Sequence, residues 1–137
     1  MRRLFILLVL SFVAPSLSFA GTAVVVHSSN ASEFSAEIVR LIYLGKQKNF
    51  SSGGKIIALD QEDGSTVKKS FIKSIVNKSE NQYAAYWAKL MFTGKGVKPT
   101  VASSDAEVVD LVSKNVNFIG YVDSSAVNDS VKVVATF

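Results

Sequence analysis

Three groups of residues have types and spacing that suit chemistry. Gly64-Ser65-Thr66 stands between an apolar stretch, Lys55 to Leu59, and an amphipathic one, Val67 to Val76. Val67, Phe71 and Ile75 recur four apart with Ile72 and Val76 beside them, so one helical face is apolar and Lys68, Lys69 and Lys73 are expected in water. A strand-turn-helix junction of this kind leaves backbone N–H groups free at the helix start, where the helix dipole adds about half a positive charge. Such an end can hold an anion. Asp63 or Ser65 is the expected N-cap, and Ser65 either only caps its own helix or also serves as a ligand. The second group is His27-Ser28-Ser29-Asn30. His27 is the only histidine, and a hydrolase would also need an orienting acid and an oxyanion hole. The chain has no G-x-S-x-G elbow. The third group, Asp60, Glu62 and Asp63, lacks the spacing of a calcium loop and reads as a solvated turn whose charge would oppose an anion.

Charge and cysteine usage narrow the classes further. There is no cysteine, which removes disulfides and thiolate ligands, and one histidine makes a zinc site untenable. No metal and no cofactor are expected. The net charge of +4 includes Arg2 and Arg3 of the expected export segment, so the rest carries +2. The lysines are spread out, and no nucleic-acid stripe forms. Four Asn-x-Ser sequons, at Asn30, Asn49, Asn77 and Asn128, are expected by chance in a chain this rich in Ser and Asn.

Residues 1–20 read as a signal peptide. Arg2 and Arg3 precede an apolar run from Leu4 to Val13, Pro15 ends it, and Ser18-Phe-Ala20 places small residues for cleavage after Ala20. No cysteine follows to carry a lipid anchor. Residues 21–137 are expected to form one exported, soluble domain of a size that buries about two thirds of its unfolded surface.

The elements that must position the candidate residues follow in order. Thr22 to His27 is a continuous apolar run with three valines, expected as a central strand covered on both faces. A helix begins near Ser32 or Ser35, buries Phe34, Ile38, Leu41 and Ile42, and stops at Gly45. Ser51 to Gly54 is a tight turn into the second strand. Ser79 and Gln82 form a capping box before a helix bearing Tyr83, Tyr86, Trp87, Leu90 and Met91, expected mostly as core. A loop runs from Thr93 to Pro99. Ser104 and Glu107 open another helix, which buries Val108, Leu111 and Val112 and ends near Asn115. Asn117–Val122 and Val131–Ala135 are strands. The alternation predicts an α/β fold with a mainly parallel central sheet flanked by helices. Ligands in such sheets bind beyond the carboxyl ends of strands. That points to Ser28, Ser29 and Asn30 after the first strand, to Gly64, Ser65 and Thr66 after the second, and to Tyr121 and Asp123 at the end of the third.

Several stretches together resemble the periplasmic substrate-binding proteins of phosphate ABC transporters. They are Ile38-Val-Arg-Leu-Ile-Tyr-Leu-Gly45-Lys46, Gly53-Gly-Lys-Ile-Ile, Asp63-Gly-Ser65, Tyr86-Trp87, Phe92-Thr-Gly94, Pro99 and Phe118-Ile-Gly-Tyr-Val122. The resemblance implies a type II periplasmic-binding-protein architecture, in which two α/β lobes close on an anion. This chain has the length of a single lobe. In the family an Arg and a Ser-Gly-Thr turn at a helix N-terminus grip phosphate. Ser65 matches the Ser of that turn, Thr66 matches the Thr if the Gly between them is deleted, and Gln61 falls near the Arg. The implied protein is a periplasmic solute-binding component for phosphate or another small anion, and not an enzyme. Gly64, Ser65 and Thr66 would act as donors and Ser28, Ser29 and Asn30 as the facing loop. Its partners would be an ABC permease or another envelope protein, with a homodimer possible. The alternative is an envelope protein-interaction module that kept the lobe and lost small-anion binding.

Overall fold

The computed structural model describes residues 21–137; the expected signal peptide, residues 1–20, lies outside the described residues. Five strands form one sheet: β1 (Thr22–His27), β2 (Ile57–Gln61), β3 (Thr100–Ala102), β4 (Phe118–Asp123) and β5 (Val131–Thr136). Their order across the sheet is β3-β2-β4-β1-β5. β2 runs parallel to β3 and to β4, whereas β1 runs antiparallel to both β4 and β5. Four strands therefore point one way and β1 alone is reversed. The sheet is mainly parallel in direction, with the exception at its most buried strand.

Period-two alternation in β1 divides the core. Val24 and Val26 face a cluster with Tyr43, Phe71, Trp87, Ile119 and Tyr121. Ala23 and Val25 face the other side, with Leu59, Val108, Val112 and Val122. The first layer is built by α1 (Ala36–Tyr43), α2 (Thr66–Phe71) with its π-helical continuation Ile72–Val76, and α3 (Glu80–Phe92). The second is built by α4 (Asp105–Lys114).

Helix boundaries follow the caps. Ser35 accepts from the Ile38 N–H at the start of α1, and Gly45 follows its C-cap with φ +72°. Ser79 and Gln82 form the expected reciprocal capping box on α3. At α4 only half the box forms. Ser104 accepts from the Glu107 N–H, while the Glu107 carboxylate accepts from the Ser103 backbone and hydroxyl instead. In α1 the fully buried positions are Val39, Ile42 and Tyr43, one step round from the expected stripe. Met91 at the end of α3 is exposed rather than core.

Candidate functional site

The turn Glu62–Ser65 connects β2 to α2 at the carboxyl end of the sheet. Gly64 supplies φ +87°, a backbone region that side chains rarely adopt. Ser65 is the N-cap of α2: its hydroxyl accepts from the Lys68 N–H at 3.3 Å and donates to Gln61 Oε1 at 3.2 Å. Gln61 is in turn fixed by Nε2, which donates to Asp105 Oδ1 at 2.6 Å and to the Tyr121 carbonyl at 2.9 Å. Thr66 is exposed and Val67 half-buried at the first two helical positions, where no earlier turn exists to accept their N–H groups.

Behind the turn sits a charged group that the sequence pattern assigned to water. Lys68 is only 4% exposed and Asp60 is fully buried. The Lys68 ammonium lies 2.8 Å from Asp63 Oδ1 and 3.3 Å from Asp60 Oδ2. Burial alone would lower its pKa; the bond to Asp63 and the charge of Asp60 outweigh that and hold it above the ordinary lysine value. Asp60 Oδ1 accepts from the Gln61 N–H at 2.8 Å and from the Tyr121 hydroxyl. Asp60 Oδ2 has no aligned hydrogen bond and faces Lys68 as an ion pair only. An aromatic group closes the floor. Phe71 stacks on Tyr121 at 3.9 Å between centroids, and Tyr43 meets both rings edge-on. Burial, followed by the charge of Asp60, raises the pKa of Tyr43, Tyr83 and Tyr121.

The expected facing loop is corrected by strand direction. Because β1 is reversed, Thr22 pairs with Asp123 and Val26 with Ile119. Ser28, Ser29 and Asn30 therefore emerge where β2 and β4 begin, at the opposite end of the sheet from Gly64, Ser65 and Thr66. Their polar groups are engaged locally. Ser29 pairs with His27 Nδ1 at 2.7 Å. Asn30 Oδ1 accepts from the Ser32 N–H at 2.9 Å, and the Asn30 carbonyl accepts from Lys132 at 3.0 Å. Ser28 is exposed beside them. Tyr121 points into the core toward Asp60, and Asp123 caps the 3-10 turn Ser124–Ala126. Among the described residues no cluster of His, Cys, Asp and Glu could hold a metal ion.

Sequence reasoning missed Gln61, Asp60 and Lys68 as one unit. The available signal was Lys68 three residues into a helix whose preceding strand carries an aspartate, Asp60, next to its last residue.

No family model matches the chain, and no curated protein does. Solved structures do. An ABC-type phosphate transport receptor from Vibrio cholerae aligns with TM-score 0.66 and 22% identity, over 84% of this chain and 45% of its own. A structure described as a phosphate ABC transporter substrate-binding protein with bound phosphate, from Clostridium perfringens, aligns with TM-score 0.67 and 27% identity, over 84% and 44%. The fold is that of phosphate ABC transporter substrate-binding proteins. PstS from Borrelia burgdorferi shares it at 13% identity and TM-score 0.63. The chain spans less than half the length of each of these receptors, as a single lobe would.

Proposed function

We propose that this chain is an exported, periplasmic solute-binding protein for phosphate or another small anion, related to the substrate-binding components of ABC transporters. The observation that carries the reading is the likeness, at 27% identity, to a structure with bound phosphate. The anion end is the Gly64–Thr66 turn. The N–H groups of Thr66 and Val67 and the Thr66 hydroxyl are the donors at hand, and Ser65 joins them only by releasing Gln61.

The electrostatics set the expected strength. Asp63 and Glu62 are exposed beside the turn, and Lys68 is already shared between two carboxylates. One lobe also covers little of a ligand. Affinity on the order of 1 mM follows, about −4 kcal/mol. Tighter binding requires a second wall, which an ABC permease or a second copy of the chain would supply. No catalytic role is assigned.

Isothermal titration with phosphate, sulfate and small carboxylates tests the proposal. Heat is expected with phosphate and is lost in Thr66→Val. An absence of heat for every anion at tens of millimolar rules it out.

A further inference from the structure

A cavity of about 420 Å³ lies where β2 and β3 begin, beside the C-terminal end of α1 and the loop that follows α3. That volume is within the range of small-molecule sites. Its exposed apolar side is Ile57 and Val97; Ile42 and Trp87 also line it, at only 4% and 2% exposure. Two glycines keep this side low. A Cβ at Gly45 would come within 2.8 Å of the Trp87 ring, and one at Gly96 within 3.1 Å. Its polar side carries Lys48, Lys55, Lys95 and Lys98, all exposed, and no aspartate or glutamate lines it. Among the described residues, none of the four has a carboxylate within ion-pair distance. Lys98 acts on Asp63 from a greater distance, as the smallest of the influences that lower the Asp63 pKa. Four cations against no anion, around an apolar floor, form a surface complementary to one ligand class.

We propose that this groove binds a small amphiphilic anion, a carboxylate or phosphate carrying an apolar body, with its charge among the lysines and its body against Ile57 and Val97, over the buried Trp87. Inorganic phosphate would leave the apolar floor uncovered, and a neutral amphiphile would leave the lysines unmatched. The inference is independent of the Gly64–Thr66 turn, which lies at the other end of β2.

Trp87 is the only tryptophan of the chain, so its fluorescence reports on this groove. The full chain is titrated with octanoate, octyl glucoside and inorganic phosphate, all below micellar concentrations. A saturable change with octanoate alone is expected, weakening in high salt. Lys48→Glu combined with Lys95→Glu is expected to weaken octanoate at least about tenfold, by turning two attractive charges into repulsive ones, and to leave the circular dichroism unchanged. Lys98 is kept because its charge also bears on Asp63. A response to octyl glucoside or to inorganic phosphate equal to that of octanoate overturns the proposal, as does no response to octanoate, or an unaltered response in the double variant.

Discussion

At the scale of single residues, Lys68 changes the meaning of the candidate turn. Grouped with Lys69 and Lys73 it reads as wet, yet Phe71 and Ile72, three and four residues on, share its face of the helix. What draws it inward is Asp60, buried at the end of β2, which needs a cation once it leaves water. Removing the cation strands that carboxylate. Lys68→Met is expected to cost about 3–5 kcal/mol, the usual penalty for breaking a buried pair from one side. Urea denaturation checks it; a loss below about 1 kcal/mol would show that Asp60 finds relief elsewhere. Ser65→Ala is milder. It removes the cap on α2 and a partner of Gln61, an expected loss of about 1 kcal/mol by the same measurement. Ser65 was legible from sequence because capping is local chemistry, whereas the network around Gln61 joins residues 44 and 60 positions apart.

At the scale of elements, the legible features were those that local rules decide. Gly45, Ser79 with Gln82, and Asn115 end or begin helices where their types require. Gly45→Ala is expected to destabilise by at least about 1–2 kcal/mol, from the left-handed backbone and from contact with Trp87. A thermal scan with an unchanged midpoint would contradict that. Two features escaped for different reasons. β3 is three residues long with Thr100 and Val101 exposed, too short for alternation to emerge beyond the β-branched pair itself. The reversal of β1 is invisible because a run buried on both faces reads the same in either direction. That reversal separated Ser28, Ser29 and Asn30 from Gly64, Ser65 and Thr66. The mistake therefore lay in strand direction, since the strand itself was placed correctly.

At the scale of the molecule, the buried phenols and Lys68 govern the response to alkali. In the folded state the pKa of Tyr43, Tyr83 and Tyr121 is raised above the ordinary tyrosine value of 10.0, and that of Lys68 above the ordinary lysine value of 10.5. In each case the folded state holds a proton that the unfolded chain releases first. Stability is therefore full below pH 10 and falls as pH rises beyond it. Denaturation midpoints across pH 8 to 11.5 check this, with a decline expected only above pH 10. The central claim, that the turn after β2 receives an anion, is most directly tested by following backbone amide resonances during a phosphate titration. Saturable shifts at Thr66 and Val67, with Ser28, Ser29 and Asn30 silent, are the predicted result. Amides at 64–67 that stay still at tens of millimolar phosphate would contradict it.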